Sequence, residues 1–329
     1  MEIGIAYDLR SAYEGAVAGP DDRLEEYDGE GTVNAIAGVL EKLGHRPRPL
    51  GGGKAFVEGV MRRPPGLVFN IAEGFGTRSR EAHVPAVLEM LRVPFTHSDP
   101  LTLSLSLDKA MCKRVVASAG VPTPAFRVLR APAEAKSLEL AYPVMAKPVG
   151  EGSSMGIRKS SRATDAAALA CEIARQVRDY EQPVLVEEFC SGPEFTVGIL
   201  GTGPDARVIG VMEIAPTAGP AESFVYSLEV KRNYEQEVVY HVPPKQPAAL
   251  VGEVERVALA AYRALDCRDV GRVDVRVGKG HQPMFLEVNP LPGLDPKKSD
   301  IVILGRGMGV TYEQIVGGIV ESARARYSL

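Results

Sequence analysis

The sequence has few cysteines, no long basic block and no long apolar run, and each absence excludes a class of protein. The four cysteines are far apart and form no CxxC pair, which argues against a zinc site and a disulfide framework. Acids and bases are interspersed and give a net charge of -4, so the composition favours neither nucleic acid nor an anionic membrane as a partner. We expect buried thiols at Cys112, Cys171, Cys190 and Cys267.

The N-terminus MEIGIAYD is a short apolar strand without a basic leader, and no run approaches the roughly 18 apolar residues of a membrane span. The chain is therefore expected to be cytoplasmic and to act on small molecules. Its 329 residues, 45% hydrophobic and 24% charged, are typical of a globular protein. This length corresponds to roughly two to three domains.

The apolar pattern predicts an α/β first third followed by units richer in strands and turns. EIGIAYD and GLVFNIAEG are typical of strands in a parallel sheet, and the helix between them carries Val33, Ile36 and Val39 at helical spacing. Antiparallel strands are predicted for GRVDVRV and MFLEVN, joined by the short link GKGHQP. Further helices are predicted over EAHVPAVLEML, as one unbroken helix over TLSLSLDKAMCKRVVASAG, and near residues 164–178, 253–264 and 312–326.

Two polar residues interrupt the apolar strand FLEVNPLPG near the C-terminus. Glu287 and Asn289 are two positions apart, so a strand places them on one face while Leu286 and Val288 point into a core. Proline and glycine then end the strand and leave the polar pair at its mouth.

The strand GRVDVRV repeats this spacing with Arg272 and Asp274. A hairpin of the two strands would bring Asp274, Glu287 and Asn289 to one face. Two carboxylates and an amide are hard oxygen ligands that suit Mg²⁺ completed by water or substrate phosphates. The alternative is a polar patch at a strand end whose hydrogen bonds are satisfied within the protein.

A glycine-rich loop, EGSSMG, closely follows Lys147 at the end of an apolar strand. Such a loop can wrap a phosphate, although its spacing matches neither the Walker A motif nor the dinucleotide fingerprint. Lys109, Lys147 and Lys231 are candidates to neutralise the phosphates of ATP. A solvent-exposed loop and surface lysines are the alternatives.

The segment PVLVEEFCSGPEF ends an apolar strand with Glu187 and Glu188 and adds Glu194 after a turn. These carboxylates could bind adenine and ribose by hydrogen bonds. A plain strand followed by a charged turn explains the same residues.

Six segments, in this order, resemble the ATP-grasp superfamily and specifically its D-alanine–D-alanine ligase family. They are DKAMCKRVVASAGVPTP, PVMAKPVGEGSSMG, PVLVEEFCSGPEFTVGIL, YSLEVKRNYEQEVVY, GRVDVRV and FLEVNPLPG. The match covers nearly the whole chain and is least specific in the first 95 residues.

The resemblance implies a three-domain ATP-grasp architecture of the α/β and α+β class, with nucleotide between the central and C-terminal domains. The expected boundaries are 1–98 for an N-terminal α/β substrate domain, 99–183 for the central small domain and 184–329 for the C-terminal domain with the metal site. The implied enzyme phosphorylates one amino acid's carboxylate with ATP and lets a second amine attack the acyl phosphate. Its cofactors would be ATP and one or two Mg²⁺ ions, with Mn²⁺ as an alternative, and the resemblance implies a homodimer.

The resemblance also assigns roles to individual residues. Lys109 and Lys147 match the lysines that contact the nucleotide phosphates, and Lys231 lies in the segment that matches a mobile loop over the γ-phosphate. Arg272 matches the arginine that stabilises the acyl phosphate, and Ser153 matches the glycine-loop serine near the substrates. The remaining matches are Glu187, Phe189 and Cys190 for adenine, Glu194 for ribose, and Asp274, Glu287 and Asn289 for Mg²⁺.

The sequence departs from the family where the amino acids would bind. Arg232 follows Lys231 where the family has a tyrosine, Glu14 is the only stand-in for an N-terminal glutamate, and Glu73 lies where the family has a His-Gly stretch. The second substrate's carboxylate would lie near Gly293, Lys298 and Ser299.

The residues matched to ATP and Mg²⁺ thus agree with the family, whereas those matched to the amino-acid substrates differ from it. An added arginine and lysine could favour a more acidic substrate through paired hydrogen bonds to carboxylate oxygens. The main alternative function is a non-catalytic ATP-binding module that retains the cleft. A nicotinamide-dependent oxidoreductase is disfavoured because its glycine fingerprint is missing.

Overall fold

The computed structural model describes residues 1–15 and 19–329 and contains three β-sheets that follow one another along the chain. The first sheet is parallel, as predicted, and its strand order is β2-β1-β3. Ile3 and Ile5 of the central strand pack against Ile36 and Leu40 of the following long helix. The elements are β1 (Glu2–Tyr7), α1 (Arg10–Tyr13), α2 (Glu30–Lys42), β2 (Arg46–Gly51), α3 (Gly53–Arg62), β3 (Leu67–Ile71), α4 (His83–Leu91), α5 (Pro100–Leu107) and α6 (Lys109–Ser118).

The predicted single helix over TLSLSLDKAMCKRVVASAG was wrong, because the chain breaks between α5 and α6. Asp108 has an extended backbone, with φ -85° and ψ 95°, so the helix cannot continue through it. Its side chain accepts a hydrogen bond from the backbone N–H of Met111 at 2.9 Å. Asp108 therefore caps a new helix that begins at Lys109.

The second and third sheets are antiparallel, and each is covered by a helix. The second has the order β4-β7-β5-β6 and packs on α7. The third has the order β10-β9-β8-β11-β12 and packs on α10. The second-sheet elements are β4 (Phe126–Leu129), β5 (Val144–Pro148), β6 (Arg162–Ala163), α7 (Ala166–Tyr180) and β7 (Val184–Glu188). The remaining elements are β8 (Glu194–Leu200), β9 (Arg207–Pro216), α8 (Leu228–Arg232), α9 (Tyr234–Glu237), β10 (Val238–His241), α10 (Ala248–Ala264), β11 (Val270–Val277), β12 (Pro283–Asn289), α11 (Asp300–Gly307) and α12 (Tyr312–Tyr327).

Three of the four cysteines are buried, as expected, but Cys171 is exposed. It lies on α7, whose apolar face carries the buried Leu169 and Ile173, so Cys171 is on the opposite side of that helix. Within residues 1–15 and 19–329, no helix is both long and apolar enough to span a membrane.

A buried carboxylate, Asp269, joins the N-terminal and C-terminal parts of the chain. It accepts hydrogen bonds from the backbone N–H of His97 at 2.8 Å, from Ser322 at 2.8 Å and from Arg326 at 2.7 Å. Arg326 also donates to the carbonyl of Phe95 at 3.0 Å. This network anchors the end of α12 to the segment that follows α4.

The stability of the protein is expected to fall in acid partly because of His97. Burial lowers the pKa of this imidazole to about 4, whereas an unfolded histidine has a pKa of about 6.5. The unfolded state therefore binds the proton first, and the free energy of unfolding falls by about 3 kcal/mol as the pH drops from 6.5 to 4. His97 has a φ of 72°, a conformation that asparagine tolerates. Urea denaturation across this pH range should show that the free energy of unfolding of His97→Asn depends less steeply on pH than that of wild type. Equal slopes for the two proteins would contradict the role given to His97.

Candidate active site

One pocket between the second and third sheets gathers most of the predicted ATP, metal and catalytic residues. Its walls come from β5, the glycine-rich loop, β7, β8, α8, β11 and β12. The predicted residues that line it are Lys147, Ser153, Glu187, Phe189, Cys190, Glu194, Lys231, Arg272, Asp274 and Glu287.

Two carboxylates face each other in the floor of this pocket. Strands β11 and β12 pair in the predicted antiparallel hairpin, with Asp274 opposite Glu287 and Arg272 opposite Asn289. Asp274 accepts hydrogen bonds from Thr196 at 2.8 Å and from Arg272 Nη2 at 2.9 Å. Directly opposed like charges destabilise a strand pair, so this arrangement needs cations nearby.

The two carboxylates have different electrostatic environments. Burial raises the pKa of Asp274 to about 6, against the opposing effect of Arg272. Burial also acts to raise the pKa of Glu287, but Lys109, Lys147 and Arg272 outweigh it and the pKa is lowered. Lys109 Nζ lies 3.8 Å from Glu287, and Arg272 Nη2 lies 3.9 Å from it. Glu287 is therefore the more firmly ionised member of the pair.

The prediction that Leu286 points into the core was wrong, although Val288 is buried as expected. The β11–β12 pairing shifts register between Asp274 and Val275, whose partners are Glu287 and Phe285, so Leu286 has no opposite residue. This is a β-bulge, which puts Leu286 and Glu287 together on the pocket wall. The strict alternation assumed from the sequence fails at this one position.

The residues present fit a hard divalent cation. Asp274 and Glu287 supply carboxylate oxygens, and the side-chain oxygen of Asn289, two positions along the strand, is held by the N–H of Leu291 at 3.1 Å. In the part of the chain that the structure describes, no group of three or more His, Cys, Asp or Glu side chains is arranged to hold a metal. A Mg²⁺ ion here would therefore need the amide, water or substrate oxygens beside the two carboxylates.

Glu187 holds two buried lysines, of which only Lys147 was predicted. Its carboxylate lies 2.5 Å from Lys147 Nζ and 2.8 Å from Lys113 Nζ. Burial acts against the ionised form, but the two lysines together lower the pKa of Glu187. Lys113 lies four residues after Lys109 on the same helix face, a spacing that could have indicated its role.

An arginine that the sequence reasoning missed organises the predicted adenine end of the pocket. The ring of Phe189 contacts two guanidinium groups, with Arg276 at 4.7 Å and Arg162 at 4.9 Å from its centre. Arg276 also pairs with Glu194 at 3.2 Å and donates to the carbonyl of Phe224 at 2.8 Å. It thus connects the sheet to the segment that leads into α8.

The glycine-rich loop is held by a buried aspartate from the N-terminal part of the chain. Ser153 and Ser154 both have positive φ angles, 50° and 60°, so the loop turns sharply next to the pocket. Asp22 accepts hydrogen bonds from the N–H of Gly156 at 2.9 Å and from the hydroxyl of Tyr180 at 2.7 Å. The N-terminal segment therefore helps to set the loop's shape.

Lys231 and its neighbour Arg232 lie on α8 and point to different surroundings. Lys231 lines the pocket, and burial lowers its pKa, with Asp300 opposing that effect. Arg232 makes ion pairs with Asp21 at 2.5 Å and Glu25 at 2.7 Å. Arg232, for which the resemblance predicts a tyrosine, thus connects the predicted lid to the N-terminal segment.

Removing this tie should loosen the lid. In Arg232→Gln, the backbone amides of residues 224–237 are expected to exchange hydrogen about two- to fivefold faster, because a partly exposed ion-pair network contributes about 1 kcal/mol or less. Hydrogen exchange with mass spectrometry measures this directly. Arg256→Gln is the matched control, since Arg256 lies on the exposed face of α10 and pairs with Glu253 of the same helix. Unchanged exchange in residues 224–237 would contradict the tie.

The predicted amino-acid residues do not line this pocket. Glu14 is exposed and lies 3.8 Å from Arg10, and Lys298 is also exposed. The hydroxyl oxygen of Ser299 accepts a hydrogen bond from the N–H of Asp295 at 2.8 Å, and a Cβ on Gly293 would meet it at 3.1 Å. The pKa of Glu73 is raised well above its usual range by burial and by nearby Glu81.

Two further pocket residues were missed. Asp300, the first residue of α11, pairs with Arg272 Nη1 at 3.0 Å, and the Tyr226 hydroxyl lies 2.7 Å from that of Tyr240. Asp300 is 13 positions beyond Glu287 and outside the strand motif, so no local spacing marks it.

Comparison with solved structures shows the class of fold. The crystal structure of VanG D-Ala:D-Ser ligase from Enterococcus faecalis matches with a TM-score of 0.75 at 20% identity, over 98% of this chain and 99% of that one. D-alanine–D-alanine ligase from Bacillus anthracis, complexed with ATP, matches with a TM-score of 0.71 at 20% identity, over 100% and 99%. The architecture is therefore the ATP-grasp fold of these ligases, which confirms the predicted fold class.

Sequence comparison narrows this class to one family. The family model described as D-ala D-ala ligase C-terminus matches residues 115–321. D-alanine–D-alanine ligase of Bordetella petrii is 35% identical over 253 residues, 76% of this chain and 74% of the relative. The uncharacterised protein y4sG of Sinorhizobium fredii is 32% identical over 303 residues, 90% and 88% of the two chains. The chain belongs to the D-alanine–D-alanine ligase family.

Proposed function

We propose that the chain is an ATP- and Mg²⁺-dependent ligase that activates a carboxylate as an acyl phosphate and joins it to an amine. The observation that carries this proposal is the single pocket where Lys147, Lys231 and Arg272 surround the opposed carboxylates Asp274 and Glu287. The names of the relatives support amino acids as substrates. Nucleotide would lie between the predicted central domain, 99–183, and the C-terminal domain, 184–329.

Two bond exchanges make up the reaction. A carboxylate oxygen of the first substrate bonds to the γ-phosphorus of ATP, the bond from that phosphorus to its bridging oxygen breaks, and ADP leaves with the electron pair. The amine nitrogen then bonds to the acyl carbon, the carbon–oxygen bond to the phosphate breaks, phosphate leaves with the electron pair, and the nitrogen loses a proton to solvent.

The pocket's own side chains suit this chemistry. Lys147, Lys231 and Arg272 would face the anionic charge that passes from ATP to the acyl phosphate, and partial burial strengthens their attraction. Bound Mg²⁺, held by Asp274, Glu287 and Asn289, would supply further positive charge to the phosphate oxygens. A lid that carries Lys231 would keep water away from the acyl phosphate.

The first step can be tested without knowing the second substrate. Hydroxylamine traps acyl phosphates as hydroxamates, so Mg²⁺-ATP, hydroxylamine and a panel of D- and L-amino acids should give hydroxamate and an equal amount of phosphate with at least one carboxylate. ATP binding without either product would support the non-catalytic alternative. Formation of the dipeptide from D-alanine alone would assign the activity named for the relatives.

A further inference from the structure

The carboxylate of Asp300 lies beside the guanidinium of Arg272, and the amine must react near this guanidinium. Its side chain is 16% exposed and lines the same pocket as Lys231 and Arg272. Arg272 is the proposed partner of the acyl phosphate, so an amine that attacks the acyl carbon approaches next to Asp300.

Both terminal nitrogens of Arg272 are already engaged by the protein. Nη1 lies 3.0 Å from Asp300, and Nη2 lies 2.9 Å from Asp274. Its Nε is buried and has no hydrogen-bond partner among the described residues. A substrate carboxylate that paired with Nε and the second N–H of one terminal nitrogen would therefore lie beside an aspartate carboxylate that already shares the guanidinium charge and repels it.

The cations near Asp300 are shared with other groups and do not fully balance its negative charge. Arg272 is shared with Asp274, and Glu287 also lies 3.9 Å from the same guanidinium. Lys231 is the other nearby cation, and in the proposed reaction it faces the γ-phosphate. Tyr226 and Tyr240 are also near, and burial together with Asp300 raises the pKa of both hydroxyls, so they stay neutral. The space beside Asp300 therefore favours a hydrogen-bond donor.

We propose that Asp300 selects the amine substrate. This substrate is a primary amine that carries an N–H donor group, and no carboxylate, next to its nucleophilic nitrogen. A carboxylate at this position would be repelled by Asp300, whereas a carboxamide or a second amine would pair with it. This inference rests on the proposed function and replaces the expectation that Lys298 and Ser299 hold a carboxylate. Lys298 is exposed, and the hydroxyl oxygen of Ser299 already accepts the N–H of Asp295.

Competition between matched amines tests the selection. With a carboxylate identified by the hydroxamate assay, glycine and glycinamide compete with hydroxylamine for the acyl group in wild type and in Asp300→Asn. The intrinsic reactivities of the two amines are the same with both proteins. A change in the ratio of glycinamide product to glycine product therefore measures the effect of the side chain at position 300. We expect this ratio to fall at least about tenfold in Asp300→Asn.

Two further variants keep the test independent of folding and of total activity. Asp300→Glu retains the charge and should keep the preference for glycinamide even where its overall rate falls. Asp205→Asn, which removes an exposed carboxylate far along the chain, should leave the ratio unchanged. An unaltered ratio in Asp300→Asn would overturn the inference.

Failure of the proposed function would be distinguishable. If no carboxylate yields hydroxamate, the ligase assignment fails, and calorimetry with Mg²⁺-ADP and either glycinamide or glycine decides the inference by binding alone. Tighter binding of glycinamide that is lost in Asp300→Asn supports it, and glycine binding at least as tight in wild type refutes it.

Discussion

Replacement of Glu287 by glutamine is expected to lower ATP-dependent phosphate release by about a thousandfold or more. Glu287 is one of two opposed carboxylates in the pocket, and Lys109, Lys147 and Arg272 keep its pKa low. The variant keeps the size of the side chain but removes the charge that would hold Mg²⁺ against the phosphates. A catalytic cation contributes several kcal/mol, and each 1.36 kcal/mol is about tenfold in rate.

Phosphate release under saturating Mg²⁺-ATP measures the rate, and calorimetric titration of Mn²⁺ in the presence of ADP measures cation binding separately. Glu89→Gln, an equal change on the exposed face of α4, serves as the control. Near wild-type release together with unchanged cation affinity in Glu287→Gln would exclude Glu287 from the metal site.

The second large effect is expected on stability. Glu187→Leu should lower the free energy of unfolding by about 3–5 kcal/mol, because breaking a buried ion pair leaves an uncompensated charge. Here two buried ammonium groups, Lys113 and Lys147, would lose their shared carboxylate. Lys113 is fully buried, and among the described residues it would keep the hydroxyl of Thr123 and the carbonyl of Phe285 as hydrogen-bond acceptors.

A double variant separates the lost ion pair from a simple packing defect. Lys113→Met removes one of the stranded charges, so Glu187→Leu with Lys113→Met should be more stable than Glu187→Leu alone. Urea denaturation of the two proteins gives the comparison. Glu139→Gln, at an exposed carboxylate that pairs with Arg127, should change stability by less than about 0.5 kcal/mol. A double variant no more stable than the single one would show that charge is not the cause.

Local patterns were sufficient for most elements and for several charged residues of the pocket, but they did not indicate Arg276 and Asp300. The period-two alternation in GRVDVRV and MFLEVN predicted the hairpin that opposes Asp274 and Glu287. Sequence patterns failed where one residue changes the backbone locally. Asp108 begins a new helix by capping it, and the bulge at Leu286 turns that side chain into the pocket. Neither effect follows from hydrophobic periodicity.

The sequence by itself determined the ATP-grasp elements, because helix and strand periods and the order of charged motifs are local properties of the chain. Only the tertiary structure decided which charges meet. Arg232 pairs with Asp21 and Glu25, more than 200 positions away, and Asp300 reaches Arg272 from a different element. Such pairings depend on how sheets and loops pack, since an ion pair requires proximity in space and no spacing along the chain encodes it.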